Sequence, residues 1–172
     1  LTNYGQSLAK VPLLITLDGE WGLSMRLRDT PRFPINMMLG AIDDDSLIYR
    51  YGKEVGRECR LMGIHVNFAP VMDVNSNPDN PVIGKRSFGE EVEQVTRKAL
   101  LYAKGLESEG VMSVAKHFPG HGDTSDDSHK TMPLVAHDTA RLKSCELYPF
   151  KRFIDEGFSG VMVGHLSVPA LD

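Results

Sequence analysis

Four short apolar runs punctuate the chain, and each ends in polar or turn-forming residues. "VPLLITLDGEWG" predicts a strand over about 12–17, with Asp18 at its exit. "GIHVNFAPVMDV" predicts one over about 64–69, with Asn67 near its end. "GVMSVAKHFPG" predicts one over about 111–116, exiting into Lys116 and His117. "GVMVGHLSVP" predicts one over about 160–164, exiting into His165. Runs rich in Val and Ile and bounded by Gly or Pro suit buried parallel strands, which are covered on both faces.

Helical patterns fill the intervals. Over 45–61, Leu47, Ile48, Tyr51, Val55 and Leu61 form one stripe behind the capping candidates Asp43 to Asp45. Over 90–109, Val92, Val95, Ala99, Tyr102, Ala103 and Leu106 do the same, and the pattern stops at Gly110. The segment 139–156 opens with Thr139 and carries Leu142, Cys145, Phe150, Phe153 and Ile154. Proline cannot sit inside a continuous helix, so a break is expected near Tyr148, with Pro149 opening a second short helix. Leu1, Tyr4 and Leu8 already keep helical spacing, so the chain is expected to begin inside an element.

Successive strands start about 50 residues apart, the spacing of βαβ units, which require a parallel sheet. Asp18, Lys116, His117 and His165 all fall at strand exits. In a (β/α)8 barrel that end carries the active site, and a doubly wound sheet also binds there, at its switch point. Neither GxGxxG nor GxxxxGK[ST] occurs, so a nucleotide-binding reading lacks its fingerprint. A full barrel needs eight strands and about 250 residues. The expected architecture is therefore α/β, part of a (β/α)8 TIM-type barrel of about four βα units, with residues 1–172 lacking the remainder at both ends.

Composition removes several alternatives. The 172 residues are 41% hydrophobic and 24% charged with a net charge of -4, so no basic excess points to nucleic acid or a polybasic membrane anchor. No apolar run approaches the roughly 20 residues of a membrane span. Cys59 and Cys145 lack CxxC spacing and read as two buried thiols rather than a disulfide.

The chemistry concentrates in "KHFPGHGDTSDDSH", Lys116 to His129. Lys116 supplies a cationic donor and His117 a donor or acceptor. Together they can grip hydroxyls or a carboxylate, or serve only as a surface lysine and a packed histidine. Pro119, Gly120 and Gly122 turn the chain sharply around His121. Asp127 and His129 are two residues apart, so an extended or turned segment can place them on one side. A carboxylate beside an imidazole orients it and stabilises its protonated form, the arrangement of a general acid/base. The alternative is an Asx or Ser turn on a solvated loop. His117, His121, His129 and His137 also fall within 21 residues and could hold zinc, as in metal-dependent hydrolases. Their spacing, however, matches no helix face.

"KHFPGHG", four residues and then "DSH" resembles the hallmark of the β-N-acetylhexosaminidase branch of glycoside hydrolase family 3, bacterial enzymes that remove N-acetylglucosamine from peptidoglycan fragments. "LDGEWGLSMR", "VNFAPVMDVNSNPDNPVIGKRSFGE" and "VMVGHLSVPALD" resemble further segments of that family in the same order. The resemblance implies a retaining glycosidase that needs no cofactor or metal and takes a carbohydrate as its partner. It implies that His129 is the general acid/base, oriented by Asp127, and that Asp18, Arg26, Arg86, Lys116 and His117 bind the sugar. The family's nucleophile, an Asp in a Ser-Asp-Asp-like segment, would lie past Asp172, which implies that these residues alone are inactive. Asp73 is then expected to be a structural or supporting carboxylate. Trp21 and Leu23 depart from the family's usual Gly and Arg, while Arg26 keeps its place. A metal-dependent hydrolase and a non-catalytic sugar-binding fragment are the alternative readings.

Overall fold

Strand pairing follows chain order. The computed structural model describes residues 1–126 and 132–171. After a short helix α1 (Thr2–Leu8) come β1 (Thr16–Leu17), α2 (Asn36–Gly40), α3 (Asp45–Leu61), β2 (Val66–Asn67), α4 (Val92–Ser108), β3 (Met112–Phe118), α5 (Thr139–Ser144), α6 (Tyr148–Asp155) and β4 (Gly160–Val163). The sheet runs β1-β2-β3-β4, every pair parallel. A doubly wound sheet reverses its order at a switch point, whereas a barrel adds strands in sequence. The chain is thus an arc of a (β/α)8-type barrel, not closed among the described residues.

Local signals account for the helix ends. Asp44 caps α3 by accepting from the Ser46 N–H at 2.9 Å. Asp138 caps α5 by accepting from the Arg141 N–H at 2.8 Å. Residues 145–147 separate α5 from α6, and Pro149 sits in the first turn of α6, where its missing N–H costs nothing. The predicted break near Tyr148 is therefore present. Both cysteines are free and buried.

The strand bounds and two helical stripes need correction. The first strand is confined to Thr16–Leu17 instead of 12–17, because only Ile15 and Leu17 offer carbonyls to β2, and Leu13 and Leu14 stay exposed on the sheet edge. β2 is shorter than 64–69, and β3 extends beyond 116 because β4 keeps pairing with it as far as Phe118. Leu47 and Leu61 do not belong to the buried stripe of α3, whose inner face is Ile48, Tyr51, Val55 and Cys59. Ile154 of α6 is likewise exposed, while Phe150 and Phe153 are buried.

The main core lies between the sheet and helices α3, α4 and α6. The α3–α4 contact is a backbone approach. A Cβ on Gly52 would lie 2.3 Å from the Tyr102 carbonyl oxygen, and one on Gly105 would lie 2.4 Å from that of Tyr49. In an exposed helix Gly→Ala gains up to about 1 kcal/mol. Here the sign reverses, because the new methyl group must push two helices apart. Gly52→Ala and Gly105→Ala are each expected to cost about 1–3 kcal/mol, the usual range for overpacking. Chemical denaturation measures this, and a gain in stability in either variant would contradict so close a helix contact.

Candidate active site

The first turn beyond β1 is fixed by an amide from the neighbouring strand. Asn67, fully buried at the end of β2, accepts from the Gly19 N–H and donates to the Gly19 carbonyl, both at 3.0 Å. Asp18 and Glu20 flank that glycine and so stand on one rim. A 3₁₀ turn at Leu23–Met25 then returns Arg26 to Asp18. Its Nε donates to the Asp18 carbonyl oxygen at 2.9 Å, and its Nη2 to Oδ2 at 2.5 Å.

β3 delivers two consecutive side chains to the same rim. Lys116 pairs with Met162 and Phe118 with Val163, leaving His117 as the extra residue of a bulge. Bulges re-aim side chains that a regular strand would alternate. The Lys116–His117 peptide is cis. Lys116 Nζ donates to Asp18 Oδ1 at 2.5 Å and lies 2.8 Å from Glu20 Oε1. A second 3₁₀ turn, Gly84–Arg86, brings Arg86 onto Glu20 as a fork: Nε to Oε2 at 3.0 Å and Nη2 to Oε1 at 2.6 Å. Arg86 Nη2 also stands 3.2 Å from His117 Nε2, and His117 Nδ1 stands 2.7 Å from Asp73 Oδ2. Arg26, Asp18, Lys116, Glu20, Arg86, His117 and Asp73 thus form one unbroken chain. Three carboxylates alternate with three fixed cations and one imidazole.

Burial grades along this chain. Glu20 and Asp73 have no side-chain exposure and Lys116 has 2%, whereas Asp18 keeps 37% and Arg26 46%. Burial alone would raise all three carboxyl groups. The hydrogen bonds and charges of Lys116 and Arg26 outweigh it at Asp18, and those of Arg86 and Lys116 do so at Glu20. At Asp73 the His117 imidazole and the backbone N–H groups of His117 and His121 have the same effect. All three carboxyl groups are held below their ordinary values, and burial is likewise outweighed at Arg86, whose pKa is raised by Glu20.

Five of the sequence-selected residues, Asp18, Arg26, Arg86, Lys116 and His117, therefore meet in one place. Asp127 and His129 lie outside the described residues. His165 is exposed beyond β4 and makes no bond to this chain of charges. The other histidines of the loop have separate engagements. His121 is buried with Nδ1 2.6 Å from the Thr124 hydroxyl, and His137 Nε2 is 2.5 Å from Asp123. Among the described residues no group of three or more His, Cys, Asp or Glu side chains could hold a metal ion.

Residues 2–172 match the glycosyl hydrolase family 3 N-terminal domain. The chain belongs to this family. It is 42% identical to Beta-hexosaminidase A of Pseudoalteromonas piscicida over 97% of its own length and 29% of that relative. Among solved structures, a glycoside hydrolase family 3 β-N-acetylglucosaminidase from Paenibacillus superposes with a TM-score of 0.96 at 44% identity, over 100% of this chain and 34% of the other. NagZ from Neisseria gonorrhoeae, in complex with N-trifluoroacetyl-D-glucosamine, gives 0.90 at 33% identity, over 100% of this chain and 53% of the other. The chain spans about a third to a half of the length of these relatives.

Within the family 3 domain, Leu23 is buried in the core, and Arg26 reaches Asp18 from the turn that Leu23 anchors. Glu20 was missed by the sequence reading, although it stands two residues from Asp18, the same spacing that singled out Asp127 and His129. Asp73 is a supporting carboxylate in the structure, as expected.

Glu20 yields a test of this geometry. Its folded pKa lies below the ordinary 4.5, and those of Asp18 and Asp73 below 3.8. Depressed carboxyl groups stabilise the fold fully above these values, and the stabilisation is lost as pH falls through the folded values. Stability should therefore drop on acidification below about pH 4.5. Removing one partner of a buried pair costs about 3–5 kcal/mol, so Glu20→Gln should be less stable at pH 7 and show a shallower acid loss. Urea midpoints from pH 7 to pH 3 measure both effects. An unchanged acid slope in the variant would show that Glu20 does not carry the linkage.

Proposed function

We propose that the complete gene product is a retaining β-N-acetylhexosaminidase that releases terminal β-linked N-acetylglucosamine, and that residues 1–172 supply part of its single catalytic barrel. The observation that carries this reading is the unbroken chain from Arg26 to Asp73 at the C-terminal rim of a parallel sheet. Its three carboxylates and three cations cancel, so the rim offers closely spaced donors and acceptors without net charge. That suits a neutral polyhydroxylated ring better than an anionic or cationic substrate. The printed names of the relatives, β-hexosaminidase and β-N-acetylglucosaminidase, support the same substrate class.

In this reading Asp18, Arg26, Arg86, Lys116 and His117 hold the ring hydroxyls and convert binding into orientation at the anomeric carbon. A carboxylate from residues beyond Asp172 attacks that carbon and forms a glycosyl-enzyme, which water then releases. His129 donates its proton to the departing oxygen and later takes one from the attacking water, with Asp127 holding its tautomer. No metal or organic cofactor takes part in these steps.

Leaving-group dependence tests the acid role. In the complete gene product, His129→Ala should lose about 10²–10⁴-fold in kcat/KM on a disaccharide, whose leaving alcohol needs a proton. The 4-nitrophenyl glycoside should suffer much less in the glycosylation step, because nitrophenolate departs unaided. Asp127→Ala should show a milder form of the same pattern. Equal losses on both substrates would remove His129 from the acid role.

A further inference from the structure

Asp73 sits behind the rim, with no exposed side-chain atom, and every contact it makes is as an acceptor. Oδ1 accepts from the His121 N–H at 2.7 Å, both oxygens lie 3.2 Å from the His117 N–H, and Oδ2 faces His117 Nδ1 at 2.7 Å. An ionised carboxylate can only accept, so Nδ1 must carry a proton. On the other side of the ring stands Arg86 Nη2, 3.2 Å from Nε2. A guanidinium can only donate, so Nε2 must offer its lone pair. The opposite tautomer would set a lone pair against the carboxylate and an N–H against the guanidinium, two like pairings at once.

We propose that Asp73 is a positioning residue that holds His117 in the Nδ1–H tautomer, so that Nε2 accepts from Arg86 Nη2 and fixes the guanidinium on the rim. The inference rests on the glycosidase reading for the nature of the ligand, but the tautomer does not depend on it. Arg86 is thereby held from two sides, by the Glu20 carboxylate and by the Nε2 lone pair. The opposite tautomer would turn an N–H toward the guanidinium and loosen a group that the reading assigns to substrate binding, and His117 is half-buried between its two neighbours.

The test uses the complete gene product labelled with ¹⁵N-histidine, the His117 signals being assigned by their disappearance in His117→Gln. At pH 8 the wild type should show a protonated Nδ1 and an unprotonated Nε2. A proton on Nε2, or averaging between two tautomers, would overturn the proposal. Asp73→Asn places an amide against the imidazole and should shift the proton toward Nε2. It should also lower kcat/KM for an aryl N-acetyl-β-glucosaminide by about 10²-fold, the usual effect of a misplaced positioning group. Activity lost while His117 keeps its Nδ1 proton would make Asp73 merely structural and refute the assignment. Should Asp73→Asn not fold, the wild-type spectrum decides, and a proton on Nε2 or averaging between the two tautomers would refute it. A wild type with the stated tautomer but no turnover would support the Asp73 assignment and count against the glycosidase reading.

Discussion

Glu20 is a carboxylate with no contact with solvent, and that constraint organises the rim. An ionised carboxyl group withdrawn from water is tolerated only if its lone pairs are answered by donors, preferably charged ones. Glu20 meets this need with the fork of Arg86 and the ammonium of Lys116. Those cations come from the 3₁₀ turn after residue 83 and from β3, while Glu20 comes from the turn after β1. Three segments far apart in sequence are thereby held at one end of the sheet. Asp73 solves the same problem with neutral donors, two backbone N–H groups and an imidazole. The Arg86–His117 contact joins the two buried carboxylates into a single network.

The elements were legible because the apolar runs recur at a βαβ spacing, and a sequential parallel sheet follows from that spacing with few alternatives. Their edges were not. Residues 12–14 have the same apolar character whether or not a neighbouring strand pairs with them, so hydropathy could not tell the edge of β1 from its paired core. Leu47, Leu61 and Ile154 fit the helical stripes by period, yet lie on flanks that no described element covers. Proline and capping chemistry fared better, since both act within a few residues: Pro149 sits in the first turn of α6, and Asp44, one of the capping candidates Asp43 to Asp45, caps α3.

The site divided along a similar line. Asp18, Lys116 and His117 could be placed from strand exits, a rule of position. Arg26 and Arg86 stand on 3₁₀ turns that periodicity does not reveal, and only resemblance pointed to them. Glu20 and Asp73 illustrate a deeper limit. What matters about each is complete burial together with partners 44 or more residues away, and nothing in a single sequence announces that an acid will be buried. The bulge at His117 belongs to the same class, because it arises from pairing with β4 and not from residues 116–118 alone.

The grading of burial along the charge chain assigns different work to its members. Lys116 is 2% exposed and already shared between two carboxylates, so its main effect is to fix Asp18 and Glu20 relative to each other. Asp18 and Arg26, at 37% and 46%, keep lone pairs and N–H groups open to solvent. Arg86 and His117 stand between these extremes. A rim built this way meets its ligand with groups whose orientation is already determined by buried partners, so little side-chain freedom remains to be lost on binding. Because each cation is answered by a carboxylate before any ligand arrives, the rim attracts no ion by net charge. Under the proposed glycosidase reading, it discriminates by where its donors and acceptors point, the property needed to distinguish one hydroxylated ring from another.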